Sequence, residues 1–271
     1  IAESNFNKSF IEALARGQGP DAILIPQDLM HKHEDKIIAI PYEVLSQRDF
    51  QNTFIEQSEL YLYPQGIMAL PFIIDPLVMY WNRDIFTNAG IAVFPKFWDE
   101  FSSVGQKINQ KDANSNIRRS VIAMGEFNNV SHAREVLGAL FLQAGNPVTY
   151  PDNGVITSAL NLESSLPALN FFTKFSDPRS AEYSWNRSLP ISKNSFLAGS
   201  LATYTGFASE ITDIRRKNSN LNFDIASLPQ AHGGVNRATF GSMYGFSIVK
   251  SSTDVNATYT VLSSLLVPEA L

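Results

Sequence analysis

The stretch Phe72-Ile73-Ile74-Asp75-Pro76-Leu77-Val78-Met79-Tyr80-Trp81-Asn82 restricts the fold of this chain more than any other segment. It is apolar and β-prone, yet an acid and a proline sit at its centre. A buried strand should contain neither, because an unpaired buried carboxylate is costly and proline cannot donate to a ladder. Two arrangements satisfy the segment. Either the acid faces a cleft, or two strands meet there with a change of direction. The wider apolar run, Gly66 to Trp81, is broken by Pro71, Asp75 and Pro76 and falls short of the ~20 residues of a membrane-spanning helix.

Around this segment, short apolar runs alternate with helical periodicity. Phe6, Phe10, Ile11 and Leu14 mark a helix ended by Gly17 and Gly19-Pro20, and Ala22 to Ile25 is a short strand stopped by Pro26. A helix is expected from Gln47 to about Ser58 with Phe50, Phe54 and Ile55 inward. The turn Pro64-Gln65-Gly66 then leads into a strand, Ile67 to Leu70, closed by Pro71. Helices follow over Arg83 to Ala89, with Gly90 as C-cap, and around Trp98, Phe101, Val104 and Ile108. Ser120 to Met124 reads as a strand, His132 to Ala144 as a helix, and Ser164 to Phe175 as a helix with Leu166, Leu169 and Phe172 on one face. The remainder alternates likewise: strand Leu201 to Thr205, helix Ala208 to Lys217, strands Phe223 to Leu228 and Phe240 to Val249, and helix Val255 to Leu266. This is α/β patterning.

At 271 residues and 44% hydrophobic, the chain can bury more than one core, and its length favours two lobes. A formal net charge of -5 argues against nucleic acid as a partner, and the basic clusters Arg118-Arg119 and Arg215-Arg216-Lys217 read as solvated. Cysteine is absent, which removes disulfides, thiolate nucleophiles and Cys-type zinc sites. There is no Gly-x-Ser-x-Gly elbow, phosphate loop or Rossmann glycine fingerprint, so no cofactor is expected. His31-Lys32-His33-Glu34-Asp35 is the one metal-like cluster, but its spacing is not that of a His-Glu-x-x-His helix, and it reads as a solvated turn rather than a metal site. The chain opens at Ile1 rather than Met, so a signal peptide or lipid anchor would lie upstream of it.

Several segments resemble, in order and rough spacing, the extracellular solute-binding proteins of bacterial ATP-binding-cassette importers, and within them the sugar-binding branch that includes maltose-binding protein. They are Ala13-Leu14-Ala15-Arg16-Gly17-Gln18-Gly19-Pro20-Asp21, Ala69-Leu70-Pro71, Tyr80-Trp81-Asn82-Arg83-Asp84-Ile85-Phe86, Ala89-Gly90-Ile91 and Pro95-Lys96-Phe97-Trp98-Asp99-Glu100-Phe101. Further along come Phe196-Leu197-Ala198-Gly199-Ser200-Leu201-Ala202, Leu228-Pro229-Gln230 and Gly245-Phe246-Ser247-Ile248. Where the family carries Thr before the Trp-Asp-Glu helix this chain has Phe97, so a cap for that helix must come from elsewhere.

The resemblance implies a two-lobed α/β fold of the periplasmic-binding-protein type (class II), incomplete at both ends, with ligand held in a cleft between hinged lobes. Lobe I would be residues 1–75 and 241–271, and lobe II residues 76–240. Asp75 and Pro76 would then sit at a crossover, and Asp75 aligns with an acidic position that contacts sugar in the family. Glu126, Phe127 and Asn128 follow the first strand of lobe II, where α/β folds place ligands. Gly206, Phe207 and Ser209 lie where the family runs through Gly into a cleft-facing helix start, so that exposed amides could meet ligand. Met243 and Tyr244 stand in a Gly-rich second crossover, and Trp185, among polar neighbours, suits a cleft rim, whereas Trp81 and Trp98 read as core. Carboxylates, amides and aromatic faces are what sugar recognition requires. The implied function is a monomeric, extracellular or periplasmic receptor, anchored through an upstream lipidated N-terminus, that hands a carbohydrate to the permease subunits without catalysis. The rivals are a glycoside hydrolase using Asp75 and Glu126, a receptor for a non-sugar polar solute, and a scaffold with no ligand.

Overall fold

The structure is a computed structural model that describes residues 3–152, 155–160, 162–234 and 236–266. They form two compact units: unit 1 draws on Ile1–Ile74 and Ser242–Leu271, unit 2 on Asp75–Gly241.

Unit 1 comprises helix α1 (Glu3–Ala15), strand β1 (Ala22–Pro26), the single turn α2 (Met30–His33), strand β2 (Ile37–Ile38), helix α3 (Gln47–Thr53) and the hairpin of β3 (Leu62–Tyr63) with β4 (Gly66–Ile67). The start of β5 (Leu70–Asn82), most of β12 (Gly241–Val249) and helix α10 (Val255–Ser264) complete it. β12 pairs antiparallel with β1, from Ala22 opposite Ile248 to Pro26 opposite Tyr244; it also pairs with β2 and runs beside β5. Phe10, Ile25, Met30, Phe50, Tyr61 and Ile67 are buried in its core. Ser46 accepts the Asp49 amide at the start of α3, and Asp254 accepts the Ala257 amide at the start of α10.

The helix expected to reach Ser58 stops at Thr53. Phe54 is extended and the chain continues as a 3-10 stretch, Glu56–Tyr61, which buries Tyr61 completely. Ile55 is 49% exposed rather than inward, because Tyr61 and Ile67 fill the core. Pro71 does not close a strand either: β5 runs unbroken through Pro71, Asp75 and Pro76.

Unit 2 is built on a sheet in the order β11 (Phe223–Ser227), β5, β10 (Leu201–Phe207), β7 (Ile117–Ile122), β6 (Gln110–Lys111). β7 and β10 are parallel, with Leu201 opposite Ser120 and Thr203 opposite Ile122; the other pairs are antiparallel. Helices α4 (Arg83–Asn88), α5 (Glu100–Ile108), α6 (Ala133–Gln143), α7 (Leu162–Thr173), α8 (Ser192–Leu197) and α9 (Ile211–Lys217), with the hairpin β8 (Thr149–Asp152) and β9 (Val155–Ser158), make up the rest. An aromatic stack of Tyr80, Tyr204 and Phe196 runs through the core, its rings 5.8–6.5 Å apart. On α7 the buried face carries Ser165, Ala168 and Phe172, while Leu166, expected inward, is 49% exposed. Asp99 at the head of α5 makes no side-chain cap bond among the described residues; the Glu100 carboxylate instead reaches back to the amides of Lys96 and Phe97, at 2.7 and 2.8 Å, and ties down the segment that leads into the helix.

Candidate functional site

In α/β sheets ligands gather beyond the carboxyl ends of the strands. In unit 2 that edge lies beyond Ile122 of β7 and Phe207 of β10. β5 runs antiparallel to β10 with Leu77 opposite Phe207, which brings Asp75 to the same edge. Glu126, Phe127 and Asn128, Phe207 and Ser209, and Asp75 therefore share one end of one sheet, although three separate parts of the chain supply them. Pro76 falls just outside the Leu77–Trp81 ladder with β10, where a missing N–H loses no ladder bond.

Asp75 is half-buried, and its Oδ1 accepts the Ser209 amide at 3.0 Å. Its second oxygen has no partner among the described residues. Phe127 is 63% exposed and Asn128 is exposed beside it, an aromatic face next to an amide. Glu126 lies 3.5 Å from the Arg187 guanidinium. The loop bearing these residues turns at Gly125, whose φ of +89° and closeness to Ser176 leave no room for a side chain.

Three expectations change. Trp185 is not a rim residue. It is 1% exposed and donates its indole N–H to Asn129 Oδ1, while Asn129 donates to the carbonyls of Asn186 and Leu189. An indole with its donor satisfied belongs in a core, and here it props the loop that follows β7. Gly206 is buried in β10 rather than offering an exposed amide; a side chain there would strike Tyr204 and the Glu210 carboxylate. Met243 is 2% exposed and packs in the unit 1 core. Tyr244 beside it is half-buried, opposite Pro26 at the carboxyl end of β1, and the Met243 amide donates to Gln27 Oε1. Trp98 is buried, donating to Gln143, and Trp81 packs against the same core.

Sequence reasoning missed the polar cluster behind the edge. Glu210, 14% exposed, accepts from the Phe207 amide and from His132 Nε2 on Oε1, at 2.9 and 2.8 Å. Its Oε2 accepts from the Tyr204 hydroxyl and Lys193 Nζ, at 2.8 and 2.6 Å. Burial alone would push the Glu210 carboxyl up, but the hydrogen bonds from His132 and Lys193 outweigh it and hold the value at about 2. Burial and the Glu210 charge push the Tyr204 hydroxyl far up, so it remains a donor. Lys193 also contacts Asp213 at 2.8 Å. No spacing could have grouped His132, Lys193 and Glu210, since each lies on a different element.

The metal-like cluster is taken apart by the fold. His33 is buried against Phe6 and Phe10, whereas His31 is exposed and lies 3.1 Å from the Tyr63 hydroxyl. Among the described residues no group of three or more His, Cys, Asp or Glu could hold a metal ion. Nor is any described helix long and apolar enough to cross a membrane.

The sequence pattern of the bacterial extracellular solute-binding proteins matches residues 7–270. The chain belongs to that family. Among solved structures, this solute-binding protein is similar to a cyclo/maltodextrin-binding protein complexed with maltotetraose, at TM-score 0.76 and 18% identity, over 100% of this chain and 66% of that one. A Thermotoga lettingae solute-binding protein bound with α-D-tagatose matches at TM-score 0.69 and 17% identity, over 98% of this chain and 68% of its own. The GacH receptor of Streptomyces glaucescens, solved without ligand and with acarbose, matches at TM-score 0.71 and 16% identity, over 100% of this chain and 67% of its own. At these identities the likeness is one of fold. The chain spans 66% of the length of the maltodextrin-binding relative. No curated protein matches it in sequence.

Proposed function

We propose that this solute-binding protein captures a sugar or oligosaccharide outside the cell and delivers it, as a monomer, to the permease of an ATP-binding-cassette importer. The observation that carries this reading is the edge of the unit 2 sheet, where a carboxylate with a spare oxygen, Asp75, shares one sheet end with the exposed ring of Phe127 and the amide of Asn128. Carboxylates and amides accept from paired sugar hydroxyls, and an aromatic face covers the apolar side of the ring. Tyr244 of unit 1 is the proposed second aromatic. Three relatives whose structures hold maltotetraose, α-D-tagatose and acarbose support the choice of ligand class. Capture rather than catalysis follows from the family. Ligand that contacts both units only when they close would shift the open and closed populations.

Thermal unfolding against a panel of maltotetraose, mannobiose, D-tagatose, polyols and amino acids tests the proposal. A ligand at about 100 times its dissociation constant stabilises by about 2.7 kcal/mol, a shift of roughly 5–10 °C for a chain of this size. The expected result is a shift from one sugar class, with the sugar recovered unchanged. Asp75→Asn should then weaken that sugar roughly 10–100-fold while leaving the unliganded midpoint within a few degrees. A shift from amino acids alone replaces the ligand class, and consumption of the sugar replaces the receptor by an enzyme.

A further inference from the structure

Two loops carry the proposed ligand contacts of unit 2. The segment after β7 carries Glu126, Phe127 and Asn128 and ends at His132, whose φ of +58° places a non-glycine residue in the left-handed region at the head of α6. The end of β10 and the turn after it carry Phe207 and Ser209, and the turn ends at Glu210. The Glu210 carboxylate lies between them. Oε1 accepts the Phe207 amide of its own turn and the His132 imidazole of the other loop, 78 residues away in sequence. The His132 ring also meets the Phe207 ring edge to face at 4.8 Å. Behind them, Lys193 and the Tyr204 hydroxyl hold Oε2, which prevents the carboxylate from rotating out of place. On the far side Ser192 Oγ accepts the Ser131 amide and Asn129 is bonded to Asn186 and Leu189, so the β7 loop is tied to the fold next to His132 as well.

Surface ion pairs contribute little, but this carboxylate is 14% exposed and the His132 side chain 26% exposed, and each of the Glu210 oxygens accepts two donors. A buried charge with all its partners in place orders the groups around it, and one deprived of a partner perturbs them. We propose that Glu210 is a positioning residue that links the two ligand-bearing loops, so that Phe127 and Asn128 on one side and Asp75 and Ser209 on the other keep one spacing before ligand arrives. The proposal rests on the sugar-capture reading for its purpose but not for its test. Asp75 belongs to the same unit of order: its Oδ1 takes the Ser209 amide, and Tyr80 donates to the Phe207 carbonyl at 2.7 Å, so a turn that Glu210 releases takes the Asp75 contact with it. Gly206 fits the arrangement, since any side chain there would strike the Glu210 carboxylate.

Hydrogen exchange read by mass spectrometry on the full chain, with no ligand present, tests the link directly. Glu210→Gln keeps the size of the side chain and an acceptor for Phe207 but removes the charge. Exchange should rise about tenfold both in residues 206–210 and in residues 125–132, while exchange in β5 and α7 stays as in the wild type. His132→Ala should reproduce the effect in residues 206–210, and His132→Gln, which can still donate to Glu210, should restore most of the protection. If Glu210→Gln loosens only its own turn, or if His132→Ala leaves residues 206–210 unchanged, the two loops are independent and the proposal is wrong. A binding readout is kept separate: wild type and Glu210→Gln are titrated with maltotetraose, and about tenfold weaker binding by the variant is expected. Failure of the wild type to bind maltotetraose counts against that sugar, and exchange alone then decides the role of Glu210.

Discussion

His33 shows how a residue's surroundings override its type. In sequence it sits among charged neighbours in a segment that reads as a solvated turn, yet the ring is 1% exposed, edge-on to Phe6 and Phe10, and neither nitrogen has a partner among the described residues. Burial holds its pKa below the usual 6.5, with Lys36 and Lys32 pushing the same way and Asp35 opposing them. Below pH 6.5 the unfolded chain takes up a proton that the folded one refuses, so unit 1 loses stability as the pH falls from about 7 to 5. Denaturant titrations across that range should show the loss, and His33→Leu should flatten it while adding about 1–3 kcal/mol at neutral pH by removing unsatisfied nitrogens. An unchanged slope in the variant would place the titrating group elsewhere. Glu210 is the opposite case, since every oxygen is satisfied and the charge is kept. Residue type and spacing distinguish neither, because burial and partners are properties of contacts between distant segments.

At the level of elements, turns and caps follow local chemistry and are readable. Gly90 follows α4, and Asn82 accepts the Ile85 amide at its start. Strand limits are less so. The sequence reads as a strand closed by Pro71, with either a cleft-facing acid or a change of direction at Asp75, but β5 runs unbroken through Pro71, Asp75 and Pro76, and Pro76 lies just outside the ladder with β10. The helix after Gln47 stops short because packing of Tyr61 outweighs periodicity at Ile55. The β7 loop offers a sharper test. A methyl group on Gly125 would lie 2.5 Å from Ser176 Oγ and 2.8 Å from its amide nitrogen, at a φ of +89°. Gly125→Ala should therefore cost roughly 2–3 kcal/mol, lower the unfolding midpoint by several degrees, and weaken any ligand held by Glu126, Phe127 or Asn128. A variant with the wild-type midpoint would show that this turn relaxes freely.

Over the whole molecule, the chain divides its apolar residues between two cores, one around Phe50, Tyr61 and Ile67 and the other around Tyr80, Phe196 and Tyr204. Unit 1 is assembled from two segments far apart in sequence, whereas unit 2 is the continuous stretch between them. Two cores of unequal size should unfold in two overlapping calorimetric transitions when no ligand is present. A sugar gripped by both units, as proposed, raises both transitions together and merges them, whereas one held by unit 2 alone raises a single transition. The second result would remove Tyr244 from the site and leave the sheet edge of unit 2 to bind unaided.

Periodicity, turn residues and short motifs are local signals, so the α/β class, most of the helices and the family are legible in the sequence, which also singles out Asp75, the Glu126 loop and the Gly206 turn as candidates. It could not show that Trp185 and Met243 are buried, that Gly206 lies under a carboxylate, or that His33 and His31 face different surroundings. Those outcomes depend on which strands become neighbours. Pairing β5 and β7 with β10 brings Asp75, Phe127 and Ser209 to one edge and encloses Glu210 between two loops, and that pairing exists only once the chain has folded.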